Sequence, residues 1–275
     1  MEVRIDKLHI VARFNYRQTR AMFKSIQFTG GNNNYKYTKW RNKGQTYYAI
    51  LYLPENLYVR RYYNVMVMME YETLKDIPDA IKTIMRIQGV DWRIKRIDLA
   101  YDSPTPVGRS MPLITGNTKV KQAKENGKKI KGSKTYYIGS MRSRARACCY
   151  DKAKELLENH QVQYAGDLTR FEIRLKPKLS EASLYDVRWL EMLLDKFIWI
   201  PDMYALNLRK VELDILKKIV RRINFNWKGI KNKQRKALQS VIVEHKIDFW
   251  KIFNEHKVEL MEWLWFAMFD LEVTG

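Results

Sequence analysis

The sequence predicts an α+β fold: a twisted, mainly antiparallel sheet that carries the functional residues, followed by a helical C-terminal region. Three observations predict it. Up to Lys176, short runs rich in Tyr, Val, Ile and Met are separated by turn residues, as strands of an antiparallel sheet are. After Pro177 the apolar residues take helical spacing, as in Leu208, Val211, Leu213, Ile215, Leu216 and Ile219. The chain has 275 residues with 46% hydrophobic and 13% aromatic content, enough for a sizeable core and against wholesale disorder.

Leu8–Ala12 starts a first strand and Asn15–Ile26 reads as a short helix before a turn over Gly30–Asn34. Tyr35–Arg41, Thr46–Leu53 and Tyr62–Tyr71 are the next strands. Asp76 offers a helix N-cap with Pro78 in the first turn; Ile77, Ile81, Ile84 and Met85 give the helical face, and Gly89 the stop. Arg93–Asp102 returns to strand alternation, and Lys119–Gly132 is a polar, basic loop or short helix. Lys134–Ser140 and Arg144–Tyr150 form a hairpin around Met141-Arg142-Ser143, before a helix from Lys152 to about Asn159 and the strand Thr169–Lys176. Helices are predicted over Leu184–Phe197, Ala205–Ile223, Lys233–Lys246 and Phe249–Phe269. The division expected is a catalytic α+β domain over 1–178 and a helical region over 179–275.

Charge narrows the function. There are 51 Lys+Arg against 30 Asp+Glu, a formal +21 at pH 7, which points to a polyanion and first to nucleic acid. From Lys119 to Glu155, twelve Lys/Arg face three acidic residues. A second basic run contains Lys217, Lys218, Arg221, Arg222, Lys228, Lys231, Lys233, Arg235 and Lys236. Either run alone reads equally as a solvated helix face; the two together are expected to form a nucleic-acid footprint with steep salt dependence. The only cysteines, Cys148 and Cys149, are adjacent, which excludes a disulfide framework and a Cys-based zinc site. No apolar stretch is long enough to span a membrane and the N-terminus lacks a signal-peptide pattern, so a cytoplasmic location is expected. His9, His160, His245 and His256 are well separated and form no metal-binding triplet; Walker and dinucleotide glycine loops are missing, so ATP hydrolysis has no support.

Three strands carry the chemistry. Period-two alternation puts Arg96, Asp98, Ala100 and Asp102 on one face, Arg170, Glu172 and Arg174 on another, and Arg144, Arg146, Cys148 and Tyr150 on a third. Adjacent strands would present carboxylates, cations and a tyrosine to one polar surface. Carboxylate oxygens suit hard Mg²⁺ or Mn²⁺, and a tyrosine hydroxyl becomes a nucleophile when cations favour its phenolate. Asp98, Asp102 and Glu172 read equally as partners of the neighbouring arginines, and the pattern alone does not single out Tyr150 among 17 tyrosines.

At these residues the sequence resembles the rolling-circle replication initiators of small Gram-positive plasmids of the staphylococcal antibiotic-resistance type, relatives of certain conjugative-element relaxases. Arg96-Ile97-Asp98-Leu99-Ala100-Tyr101-Asp102 is similar to the family's Arg-Leu-Asp-Leu-Ala-Phe-Asp strand. Thr135-Tyr136-Tyr137-Ile138-Gly139-Ser140 is similar to its aromatic-aromatic-Gly segment, Tyr150-Asp151-Lys152-Ala153-Lys154-Glu155 to its nicking stretch Tyr-Asn-Lys-Lys-Gln-Glu, and Arg170-Phe171-Glu172-Ile173 to the Arg-Val-Glu-Ile strand that follows. Glu70 falls at a recurring carboxylate. Two departures stand out: Cys148 where the family has Arg, and Ser103-Pro104-Thr105-Pro106 in place of an acidic cluster. Arg146 or Arg144 is expected to supply the missing cation.

The resemblance implies a site-specific nicking-closing enzyme. Tyr150 is then the nucleophile, Asp98, Asp102 and Glu172 the Mg²⁺ or Mn²⁺ ligands, and Lys152 and Arg146 the groups that position phosphate. The reaction is transesterification of single-stranded DNA at a double-strand origin, giving a 5′-phosphotyrosine and a free 3′-OH primer. One nucleophilic tyrosine per chain implies a homodimer, suited to inverted repeats, and a host replicative helicase is the expected partner. Arg142 and Arg144 are expected to contact DNA near the nick, and Lys217, Lys218, Arg221, Arg222, Lys231, Lys233 and Arg235 to hold the duplex origin. The aromatic run Phe249, Trp250, Phe253, Trp263, Trp265, Phe266 and Phe269 reads as core or dimer interface. A relaxase of an integrative conjugative element, and a non-enzymatic basic DNA-binding regulator, are the alternatives.

Overall fold

The computed structural model describes the chain except residues 33–34, 43–44, 53–62, 71–76, 115–119, 123–134, 141, 222–229 and 270–275. The Asp76 cap, most of the basic stretch 119–132, Met141, Arg222 and Lys228 lie outside the described residues. In chain order the elements are β1 (Glu2–Ala12), α1 (Tyr16–Ser25), β2 (Gly30–Asn32), β3 (Tyr35–Asn42), β4 (Gln45–Tyr52), β5 (Val65–Glu70), α2 (Asp79–Met85), β6 (Arg93–Ser103), β7 (Met111–Ile114), β8 (Val120–Gln122) and β9 (Tyr136–Ile138). They continue with β10 (Ala145–Asp151), α3 (Lys152–His160), β11 (Thr169–Leu175), α4 (Trp189–Leu194), β12 (Phe197–Ile200), α5 (Lys210–Arg221), α6 (Asn232–His245), α7 (Phe249–Glu255) and α8 (Lys257–Phe269). This is the α+β architecture expected, with helices concentrated toward the C-terminus.

Two compact units interleave along the sequence: Met1–Val3 with Ala100–Leu175 and Leu190–Phe253, and Arg4–Leu99 with Lys176–Trp189 and Asn254–Gly275. In the unit holding Arg4–Leu99 the strand order is β2-β3-β4-β5-β1-β6. The β2·β3, β3·β4, β4·β5 and β1·β5 pairings are antiparallel, with Ile10 opposite Val67 in the last. The Gly30–Asn34 turn is thus corrected at its start: Gly30–Asn32 is a strand. Asn15 and Gln18 form a reciprocal capping box that starts α1. Gln18 Nε2 also donates to the Gln88 carbonyl at 3.0 Å, tying α1 to the end of α2. Trp92 is buried edge-on to Phe14, centroids 5.7 Å apart, and its indole donates to the Met85 carbonyl. Arg86 donates to the Ala267 carbonyl at 3.0 Å, which fixes α8 against α2.

The other unit carries the strand order β6-β11-β10-β9-β8 and a separate β7·β12 pair. Its core is aromatic. Phe171 stacks on Trp199 and on Phe249, with centroids 5.3 and 5.1 Å apart, and Tyr101 meets Phe249 edge-on while donating its hydroxyl to the Phe249 carbonyl. Such pairs add to the area they remove from water.

Two helix expectations are corrected here. Over 184–197 only Trp189–Leu194 is helical, and Phe197-Ile198-Trp199-Ile200 is strand β12, registered against β7 with Trp199 opposite Pro112. A run of aromatic and β-branched residues ahead of Pro201 suits an extended backbone better than a helix end. The segment 249–269 is two helices: His256 breaks it, its carbonyl accepting the Leu260 N–H at 2.9 Å to open α8.

Candidate active site

The β9–β10–β11 ribbon builds one polar face by alternation. Ala145, Ala147 and Cys149 on β10, and Phe171, Ile173 and Leu175 on β11, are buried. The intervening residues are forced to the opposite face. There the antiparallel register sets Arg146 opposite Arg174, Cys148 opposite Glu172 and Tyr150 opposite Arg170. On the other side of β10, Tyr137 of β9 stands opposite Cys148. Gly139 has φ +90°, and a Cβ there would approach the Ala145 carbonyl oxygen to 3.2 Å. Only glycine turns β9 back onto β10 this tightly without strain, the physical reason for the glycine of the Tyr-Tyr-Ile-Gly segment.

Arg170 is buried, 1% exposed, and grips Asp102, 3% exposed, with two parallel bonds of 2.8 Å. Its guanidinium is therefore held in a fixed orientation, on the residue that pairs with Tyr150 across the strands. Glu172 accepts from Arg174 at 3.2 Å. Burial, and then the Glu172 charge, push the Tyr150 phenol far above its ordinary range, while Arg170 opposes the shift. The phenol is therefore protonated at physiological pH.

Helix α3 starts directly behind the tyrosine. Asp151 caps it, accepting from the Lys154 N–H at 2.9 Å. Lys152 is buried, 6% exposed, with Nζ 2.6 Å from Glu155 Oε2; its N–H donates to the Leu168 carbonyl. Glu155 also accepts from Asn159 and lies 3.6 Å from His160 Nε2. Burial resists ionisation of Glu155, but these donors, Lys152 first, hold its carboxyl below the usual carboxylate range.

Asp98 sits on the part of β6 that belongs to the Arg4–Leu99 unit. It is fully buried, and Arg96 holds it through Nε at 2.8 Å and through Nη2. In the same unit burial, and then Arg96, lower His9 to about 4, so its imidazole is neutral at physiological pH. Asp6 of β1 is half-buried.

The expected DNA-binding cations are on the surface where they are described. Arg142 and Arg144 are exposed ahead of β10. Lys217 on α5 lies over the Tyr204 ring at 4.8 Å and 3.8 Å from Asp214, and Lys218 beside it is exposed. Arg221 ends α5. Lys231 precedes α6; Lys233 is exposed, and Arg235 donates to Asn232 at 2.7 Å. Phe249 and Phe253 of the aromatic run are core. No helix among the described residues is long and apolar enough to cross a membrane.

Sequence reasoning missed two residues. Tyr137 was marked by its place between Tyr136 and Ile138, both buried. Glu155 was marked by its position three residues after Lys152 on one helix.

A tyrosine, a buried arginine and a carboxylate on one cationic sheet face define a site suited to phosphoryl transfer. The model of the Rep_trans family, described as replication initiation factor, matches residues 92–197, the span that holds Asp98, Tyr137, Tyr150 and Glu172. This match over residues 92–197 agrees with the family resemblance read from the motifs. Among solved structures, the chain is similar to the rolling circle replication initiator protein from Geobacillus stearothermophilus, at 11% identity and a TM-score of 0.42, over 88% of this chain and 97% of that one. No curated protein sequence matches the chain.

Proposed function

We propose that the chain is a rolling-circle plasmid replication initiator that binds a double-strand origin and nicks one strand with Tyr150. The observation that carries this reading is the β10·β11 register, which puts Tyr150 across from the buried Arg170 and diagonal to Glu172, with Arg146 further along the same face. Tyr150 Oη attacks the scissile phosphorus and loses its proton. The bond from phosphorus to the 3′ oxygen breaks, that oxygen leaves as a free 3′-OH, and the 5′ phosphate stays on the tyrosine. One phosphodiester replaces another, so no nucleotide cofactor is needed. Arg170 steadies negative charge at the phenolate, and Arg146 draws the phosphate onto the face. Lys152, bound to Glu155, contributes charge behind the tyrosine and keeps the start of α3 in place.

Asp98 and Glu172 are the carboxylates proposed for Mg²⁺ or Mn²⁺. Carboxylate oxygens fit a hard divalent cation in charge and donor type. When bound, that ion would polarise the scissile phosphate as a Lewis acid. Asp102, whose two oxygens are held by Arg170, serves in this reading as the anchor of that arginine. The proposal extends to a homodimer in which a second Tyr150 releases the circle, to duplex recognition by the basic residues of α5 and α6, and to a host helicase as partner.

The test is a supercoiled plasmid carrying the origin beside the gene, incubated with Mn²⁺. Native protein yields site-specific open circles and Tyr150→Phe yields none. Asp98→Ala and Glu172→Ala lose nicking and calorimetric Mn²⁺ binding while keeping origin binding. Undiminished nicking by Tyr150→Phe would refute the nucleophile.

A further inference from the structure

Tyr137 takes no part in the chemistry above, yet it stands on the same face. Its neighbours Tyr136 and Ile138 are buried in the core, and the pleat turns Tyr137 outward, 45% exposed. It lies opposite Cys148, and Cys148 lies opposite Glu172. Tyr150 is two residues along β10 from Cys148, which makes it the diagonal neighbour of Tyr137, about 7–8 Å away by ordinary sheet geometry. The tight turn at Gly139 brings β9 against β10 in this register. The rest of the face and its rim is cationic: Arg146 and Arg174 flank the pair, and Arg142 and Arg144 are exposed ahead of β10.

We infer that Tyr137 is a stacking platform for an unpaired base next to the scissile phosphate. This rests on the reading of Tyr150 as the nucleophile. An exposed aromatic ring among arginines suits a nucleotide, whose base offers a π-face and whose phosphate offers charge, better than a protein surface or a second apolar sheet. The occupant is single-stranded, because bases stacked within a duplex present no face to a side chain. Stacking tolerates any base, so Tyr137 fixes the position of the strand rather than its sequence. Holding one base at this distance from Tyr150 places the adjoining phosphate within reach of the phenol, which raises the effective concentration of the reacting groups.

The test uses binding without cleavage. A short oligothymidylate carrying one 2-aminopurine is titrated into the Tyr150→Phe protein, with anisotropy reporting affinity and fluorescence quenching reporting stacking. Adding Tyr137→Ala is expected to weaken binding about tenfold and to abolish the quenching. Tyr137→Trp and Tyr137→Phe retain both, and Tyr137→Leu, which fills similar volume, fails like Ala. Thermal unfolding of each variant shows whether the fold is intact. Equal affinity and quenching in the Ala or Leu variant overturns the platform. The assay does not depend on nicking, so it stands apart from the plasmid assay of Tyr150: nicking lost in Tyr150→Phe with quenching unchanged in Tyr137→Ala refutes the platform alone, and the reverse pattern refutes the nucleophile alone.

Discussion

Asp102 and Arg170 show how a single ion pair can decide what a site residue is for. Both side chains are almost fully buried and joined by two 2.8 Å bonds. Two charges taken from water are tolerable only as a pair, and each alone is costly. Asp102→Ala should therefore destabilise the fold by about 3–5 kcal/mol in urea unfolding. The double variant Asp102→Leu with Arg170→Met should recover most of that loss, since it leaves no orphan charge. A cost below about 1 kcal/mol for Asp102→Ala would mean that the pair is not desolvated in solution. At this scale the sequence was informative within strands and silent between them. Period-two alternation alone put Tyr150 with Arg146, and Glu172 with Arg170 and Arg174, on common faces. That Arg170 reaches Asp102, 68 residues away, depends on strand order and could not be read.

The hairpin from β9 to β10 is the element that positions both Tyr137 and Tyr150. Its weak point is Gly139, at φ +90° and with the Ala145 carbonyl oxygen 3.2 Å from a prospective Cβ. Gly139→Ala is expected to destabilise by about 1–3 kcal/mol, measured by denaturant titration, and to lower nicking beyond what stability explains. An unchanged midpoint would place the strain elsewhere. Strands were legible because each keeps one face buried, which enforces alternation. Helix limits were less legible where tertiary pairing overrode local pattern. Phe197-Ile198-Trp199-Ile200 satisfies an apolar helical face as well as a strand, and the pairing with β7 selects the strand. The apolar spacing of 249–269 runs through His256 without a signal, so the break between α7 and α8 was hidden.

For the whole molecule, the +21 charge resolves into separate places. Arg142, Arg144 and Arg146 lie at the start of β10 and just ahead of it, and Lys217, Lys218, Lys231, Lys233 and Arg235 on α5 and α6 and the approach to them. The expected division near residue 178 followed composition, whereas packing groups Leu190–Phe253 with Ala100–Leu175 and returns Asn254–Gly275 to Arg4–Leu99. Composition sees neighbours in sequence; the aromatic contacts of Phe171 with Trp199 and Phe249 join segments far apart in it. The central claim is that Tyr150 becomes covalently joined to DNA. Native protein is incubated with Mn²⁺ and an origin oligonucleotide, the complex is digested with protease and nuclease, and the modified peptide is sequenced by mass spectrometry. The account predicts a 5′-phosphonucleotide on Tyr150 and on no other residue. An adduct on a different side chain, or nicking with no adduct at all, would contradict it.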